Sequence, residues 1–249
     1  MDNNESFQFF LNFYADLPRQ GPGDDRITRH ILGLLVDLPP DPVIIDMGCG
    51  SGAQSIVLAQ EGCRVTAVDI HKIILDKLEK RLNNDKLKDK ITCVCSGMES
   101  FKPETPVDLI WSEGAIYSIG FKQGLTLWHP YLKKDGYIVV SEISWLIDKP
   151  PHEALEFWNK EYPAMQSVSE NQAIIKETGY QWIGSILLPN HAWDTFYEPQ
   201  KEKILRLRSS ATLTKNEDAE LKLIEDEIRI FKEYQGTYGY VFYLMQRII

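Results

Sequence analysis

No apolar run in this 249-residue sequence reaches the roughly 20 residues a membrane helix needs. The first stretch, MDNNESFQFFLNFYADLP, begins acidic and has neither a basic start nor a small-residue cleavage site, so it does not read as a signal peptide. A cytoplasmic protein is expected. Basic charge is also short, with 27 Lys and Arg against 36 Asp and Glu, a formal net charge of −9 and a pI of about 5.1. Phosphate backbones are held by clustered Lys and Arg, so nucleic acid is not the expected partner. Cysteine is sparse: Cys49, Cys63, Cys93 and Cys95 form no C-x-x-C pair, and Cys93 and Cys95 would share one face of a strand. They read as buried free thiols, and no metal is expected. There are no internal repeats and no low-complexity tracts.

What is present is an alternation. ITRHILGLLVDL places Ile27, Ile31, Leu34, Leu35 and Leu38 at helical spacing until Pro39 and Pro40 stop it. VIID then reads as a buried strand, SIVLAQEG as a helix ending at Gly62, and RVTAVDI as a second strand. IILDKLEKRLNN repeats Ile74, Leu78 and Leu82 as a helix; ITCVCS and VDLIWS are strands three and four. KQGLTLWHPYLKKDG reads as a helix with a glycine stop before a fifth strand, YIVVSEISWL. Strands alternating with helices make a parallel sheet covered on both faces. Beyond Pro150 and Pro151 the order changes. HEALEFWNKEY and SENQAIIKETG read as helices and YQWIGSILLP as a sixth strand. A long amphipathic helix follows, with Leu221, Ile224, Ile228 and Phe231 on one face and a capping box from Thr214 and Glu217, before the closing strand GYVFYLMQRII.

The stretch VIIDMGCGSGAQ, residues 43–54, sets Gly48, Gly50 and Gly52 at alternate positions between a strand and a helix. A turn alone needs one or two glycines. Three suggest that something lies against bare backbone where a helix N-terminus offers free N–H groups. Asp69 ends the next strand, 23 residues beyond Asp46, the range of a carboxylate that holds ribose hydroxyls. Gly48, Gly50 and Ala53 also fit the dinucleotide fingerprint, which keeps an NAD-dependent oxidoreductase open. Against it, a carboxylate at Asp46 sits badly beside a pyrophosphate and suits an ammonium or sulfonium group.

DMGCGSG closely resembles the D/E-x-G-x-G-x-G motif of the class I S-adenosylmethionine-dependent methyltransferases, over about residues 26–145 in motif order. The resemblance implies an α/β fold: a doubly wound, Rossmann-like sheet of seven mostly parallel strands with the last antiparallel, helices on both faces, and a helical insertion before the last strand. One domain is expected, divided into an N-terminal lid segment (1–25), a core (26–188), the insertion (189–238) and the last strand (239–249). Residue by residue, the resemblance puts Gly48, Gly50 and Gly52 under the methionine part of S-adenosyl-L-methionine and Asp69 on the ribose. It puts Ile70 and the backbone of Met98 at the adenine, in the segment SGMESF. Gly97 stands where the family often has an aspartate for the exocyclic amine. Ser112 and Glu113 match the place where the methionine end meets the substrate.

For chemistry, WSEGAIYSIGF lacks the D/N-P-P-Y/F signature of enzymes that methylate base amines or amide nitrogens. Glu113 and Tyr117, four residues apart, would face the same way on a helical turn and are the catalytic candidates. Metal-dependent catechol methylation would need more acids than Glu113 and Glu142 supply. In YADLPRQGPGDD, Arg19 is a candidate partner for the cofactor carboxylate, on a lid hinge. Trp145, Trp158, Trp182, Trp193, Tyr197 and His191 form a late aromatic set; those in PNHAWDTFYEP, outside any periodic pattern, are candidates for a pocket wall. The overall order is most similar to the small-molecule branch that includes ubiquinone and menaquinone methyltransferases. A small organic acceptor is therefore expected, on a monomer or homodimer. A non-catalytic cofactor-binding module, pairing through the 214–235 helix, is a further alternative.

Overall fold

The computed structural model describes residues 2–83, 86–210 and 212–248. Its first element was not suggested by the hydrophobic pattern: helix α1, Asp2–Ala15, precedes α2, Asp25–Gly33. The Asp24 side chain caps α2 by accepting from the Arg26 N–H. Then come β1 (Val43–Met47), α3 (Ala53–Gln60), β2 (Arg64–Asp69), α4 (Lys72–Leu82), β3 (Ile91–Cys95) and β4 (Val107–Glu113). After a 3-10 turn at Ile116–Ser118, α5 (Phe121–Trp128) is shorter than its sequence implied. Pro130 falls in a second 3-10 turn, His129–Tyr131, and β5 (Leu132–Trp145) already includes Lys133 and Lys134. There follow α6 (His152–Glu161), β6 (Gln166–Ser167), α7 (Val168–Glu177), β7 (Tyr180–Leu187), α8 (His191–Ser210), α9 (Lys215–Glu233) and β8 (Tyr238–Arg247). Both α7 and α9 begin with complete capping boxes, Ser167 with Glu170 and Thr214 with Glu217, the second as its sequence predicts. Asn84, at the end of the third predicted helix, and Ile249, at the end of the last strand, lie outside the described residues.

The sheet order is β3-β2-β1-β4-β5-β8-β7. Strands β1 to β5 are parallel, and β8 runs antiparallel between β5 and β7. Among the described residues eight strands replace the seven expected, because Gln166–Ser167 pairs with Ser144 and Trp145. Two residues are too few to leave a periodic signal. From β1 the chain builds outward to β2 and β3, then returns to add β4 on the other side. That reversal leaves a crevice at the C-terminal ends of β1 and β4, where sheets of this kind hold ligands.

Each face of the sheet carries its own core. On one, α5 and α7 pack Leu125, Trp128 and Ile175 against Ile110, Ile138, Val140 and Tyr243. On the other, α1, α2, α3, α8 and α9 bring Phe13, Ile31, Leu58, Trp193, Tyr197 and Phe231 against Trp111, Val139 and Phe242. The segment PNHAWDTFYEP is thus not an irregular pocket wall. It opens α8, and Trp193 and Tyr197 are buried at 1% and 2% exposure. Trp193, Phe196, Tyr197 and Ile204 keep a helical period, which Pro199 inside the helix disguises in the sequence. The thiols divide as well: all four are free, with Cys49 and Cys63 buried, Cys93 half-buried and Cys95 exposed on edge strand β3. Only two of the four match the buried reading.

Candidate cofactor and acceptor site

The turn after β1 has Gly48, Gly50 and Gly52 at φ of 74°, 55° and 77°, a left-handed conformation that side-chain-bearing residues avoid. A Cβ would overlap Ala115 at Gly48 and Leu78 at Gly52. At Gly50 it would come within 2.6 Å of Gln20 Oε1. The bare backbone therefore is approached, and in this structure by the chain itself. Gln20 is the removable neighbour of the three: a flexible side chain whose Oε1 accepts from the Ser51 N–H at 2.7 Å. Its Nε2 donates to the carbonyls of Tyr14 and Leu17 at 3.1 and 3.2 Å. No spacing in the sequence marks Gln20, which sits 31 positions from the amide it caps.

Asp69 ties this loop to the end of β2. Its Oδ2 accepts from the Gly50 N–H at 2.9 Å and its Oδ1 from the His71 N–H at 2.8 Å. Each oxygen keeps a second lone pair for a hydroxyl. Next to it, Ile70 stands 63% exposed, an apolar face left bare at a strand end. A Cβ on Gly97 would lie 3.6 Å from Ile70 Cδ1, in ordinary contact. The Met98 carbonyl accepts from Trp128 Nε1 at 3.3 Å, while its N–H has no partner among the described residues. An apolar face, a free amide N–H and a carboxylate in this sequence fit a purine nucleoside: ring stacking, one bond to a ring nitrogen, and bonds to ribose hydroxyls.

Two expected contacts are placed differently. Asp46 does not face the crevice; it is fully buried beneath the first turn of α3, accepting from Ser55 Oγ and, at 3.4 Å, from Gln54 Nε2. Burial pushes its carboxyl up to about 7. The Ser112 hydroxyl, also buried, donates to the Met47 carbonyl at 2.9 Å and so links β4 to β1.

Glu113 and Tyr117 do not share a face. Glu113 ends β4, Gly114 turns the chain at φ 59°, and Tyr117 lies in the 3-10 turn. Glu113 Oε1 accepts from Thr28 Oγ1 and Trp111 Nε1, each at 2.9 Å. Burial raises its pKa, and the nearby Arg19 guanidinium opposes the rise. Arg19 is ion-paired with Asp25, and both Arg19 and Glu113 flank Gly23. These contacts fasten the 16–24 connection to the end of β4. Tyr117 is 46% exposed and meets Tyr162 edge-on, ring centroids 5.8 Å apart. Beyond it lie residues that no local motif marks. The Tyr162 hydroxyl donates to Glu142 Oε1 at 2.6 Å, and the Tyr197 hydroxyl to Glu227 Oε1 at 2.8 Å. A separate recess of about 120 Å³, lined by Asp37, Asp108 and Lys133 among others, opens at the opposite ends of β4 and β5, away from this chemistry.

Residues 44–136 match the model of a family described as a methyltransferase domain. A tRNA1(Val) (adenine(37)-N6)-methyltransferase of Haemophilus influenzae is 28% identical over 121 residues, which are 47% of this chain and 50% of that protein. The chain thus spans about half the length of such curated relatives. Likeness to solved structures runs almost end to end. A SAM-dependent methyltransferase from Geobacter sulfurreducens, in complex with S-adenosyl-L-homocysteine, superposes with a TM-score of 0.77 at 17% identity, covering 96% of this chain and 97% of that one. YjhP from E. coli gives a TM-score of 0.79 at 15% identity, covering 96% and 98%. The fold is that of the S-adenosylmethionine-dependent methyltransferases. In this methyltransferase fold the glycine turn, Asp69 and the Ile70–Met98 slot all lie at the C-terminal ends of β1 to β3. Among the described residues no helix is long and apolar enough to cross a membrane.

Proposed function

We propose that the protein transfers a methyl group from S-adenosylmethionine to a small organic acceptor. The observation that carries this reading is the slot beside Asp69, where a bare Ile70 and the unpartnered Met98 N–H match a nucleoside. In it Asp69 holds the ribose, while Ile70, Gly97 and Met98 border the adenine. Gly48, Gly50 and Gly52 pass under the amino-acid end once Gln20 withdraws. Arg19 and Glu113 meet that end's carboxylate and ammonium; Asp46 and Ser112 support it from beneath. The cofactor supplies the electrophilic methyl; the chain supplies alignment and exclusion of water. Motif order supports placing it in the small-molecule branch similar to the ubiquinone and menaquinone enzymes. The acidic balance and missing base-amine signature support an acceptor other than nucleic acid. Four free thiols support a reducing, cytoplasmic setting, as monomer or homodimer.

Calorimetric titration tests the first half: S-adenosylhomocysteine is expected to bind and NAD not to, and the reverse order would restore the oxidoreductase. Glu113→Gln tests the site. If Glu113 holds the cofactor ammonium, the variant binds cofactor about tenfold or more weakly and keeps its rate at saturation. If Glu113 takes a proton from the acceptor, the rate falls about a hundredfold and affinity stays. Its hydrogen bonds to Thr28 and Trp111 and its proximity to Arg19 favour the first outcome. A variant changed in neither respect removes Glu113 from the site.

A further inference from the structure

Arg19 and Glu113 each have one end fastened and the other turned to the same point of the backbone. Glu113 Oε1 takes two hydrogen bonds at 2.9 Å, from Thr28 Oγ1 and Trp111 Nε1, and both donors are buried, at 1% and 0% exposure. Two donors fill the lone pairs of Oε1, so Oε2 is the oxygen left for a ligand. Arg19 is pinned in the same manner, with its Nη2 paired to Asp25. The remaining ends, Arg19 Nη1 and Glu113 Oε2, meet at Gly23, where a Cβ would stand 2.6 Å from the first and 3.3 Å from the second. Among the described residues no ion pair joins Arg19 to Glu113.

The backbone does not require glycine here. The φ of Gly23 lies outside the left-handed region, so what an alanine would meet is the two charged ends. The place of Gly23 is fixed from the insertion. Its N–H donates to the Ala192 carbonyl at 3.3 Å, and its carbonyl accepts from Thr195 Oγ1 at 3.0 Å. The first turn of α8 thereby holds a residue without a side chain against both a guanidinium and a carboxylate. Two opposite charges kept from pairing with each other suit a ligand that carries both, its carboxylate for Nη1 and its ammonium for Oε2.

We propose, resting on the methyl-transfer reading above, that Gly23 and Thr28 are positioning residues: they fix Arg19 Nη1 and Glu113 Oε2 as two separate charges, and so make the site select a cofactor with an intact amino-acid end. Thr28 works through Glu113 Oε1, which it holds so that Oε2 faces the ligand. With Trp111, its hydrogen bond also opposes the burial that raises the Glu113 pKa. Gly23 works by leaving room. A Cβ cannot stand 2.6 Å from a nitrogen, so any side chain at this position drives Arg19 Nη1 from its place. An arriving ammonium and carboxylate give each charge the partner it lacks. A nucleoside thioether without those groups gains nothing from either.

The test is calorimetric titration of the full chain with two probes, S-adenosylhomocysteine and 5′-methylthioadenosine, the second having the nucleoside and the sulfur but no amino-acid end. The native chain is expected to bind S-adenosylhomocysteine about tenfold or more tightly than this fragment. Thr28→Val keeps the volume and loses the hydroxyl; it should weaken S-adenosylhomocysteine about fivefold and leave the fragment unchanged, and Thr28→Ser should restore the affinity. Gly23→Ala should also weaken S-adenosylhomocysteine about fivefold and spare the fragment. Thermal melting reports folding without either probe, and should the valine variant fail to fold, Gly23→Ala decides. Where the fragment binds too weakly to measure, the loss in valine and its return in serine decide. Equal weakening of both probes, a serine variant as weak as valine, or unchanged S-adenosylhomocysteine affinity in the variants overturns the positioning role and leaves the methyltransferase reading standing. No binding of S-adenosylhomocysteine to the native chain overturns both.

Discussion

Replacing Trp193 by alanine is expected to cost about 3–5 kcal/mol of folding free energy, the range for truncating a buried aromatic residue. Trp193 is 1% exposed and stacks on Phe231 of α9 at 4.2 Å, with planes 20° apart. It also packs against Tyr197 at 5.6 Å and against Tyr240 of β8 at 5.3 Å. One side chain therefore joins α8, α9 and the sheet. Loss of that joint should appear in urea denaturation as a lower midpoint with one transition retained. A cost under about 1 kcal/mol, or a second transition, would mean that the 189–238 segment folds apart from the core. The same substitution removes the packing of Tyr240, so this part of β8 should lose order before the glycine turn does.

Asp69→Ala should weaken S-adenosylhomocysteine by about 1.5–3 kcal/mol, from the loss of charge-assisted bonds to the ribose. The structure adds a second effect. Asp69 also accepts from the N–H groups of Gly50 and His71, so the variant leaves both amides without their acceptor and loosens the glycine turn. Asp69→Asn separates the two. Its amide oxygen still accepts one backbone N–H, but it carries no charge to the ribose. Calorimetry should find most of the affinity loss in both variants, whereas thermal melting should find most of the stability loss in alanine alone. Unchanged affinity in either would remove Asp69 from the cofactor site.

The parts of the molecule readable in advance were those with local signals. The β1 glycine turn, Asp69 at the next strand end and the Thr214 capping box each occupy a few consecutive residues, and geometry follows from their spacing. The sheet's alternation was readable for the same reason. Helix α1 leaves no local signal because its aromatic residues, Phe7 to Phe13, obscure any apolar stripe, and α8 leaves none because Pro199 interrupts the pattern. The surroundings of the buried Glu142 and Glu227 were beyond reach in a different way. Tyr14, Glu142, Tyr162, Glu227 and Tyr240 come from α1, β5, the end of α6, α9 and β8, so no spacing rule connects them. Glu113 and Tyr117 show the converse: a spacing suited to a helix means nothing when Gly114 turns the chain between them.

The buried carboxyls also govern the exchange of protons with solvent on unfolding. In an unfolded chain an aspartate titrates near 4. In the folded protein burial pushes the Asp46 carboxyl up to about 7 and the Glu142 carboxyl up to about 8. Between those limits the unfolded state is ionised while the native state keeps its protons. Their contribution to stability is complete below about pH 4 and declines as pH rises through 7 to 8. The native molecule at neutral pH thus carries less negative charge than its formal −9, and unfolding discharges protons into the medium. The heat of unfolding accordingly contains the heat with which the buffer takes those protons up, so it differs between phosphate and Tris at the same pH.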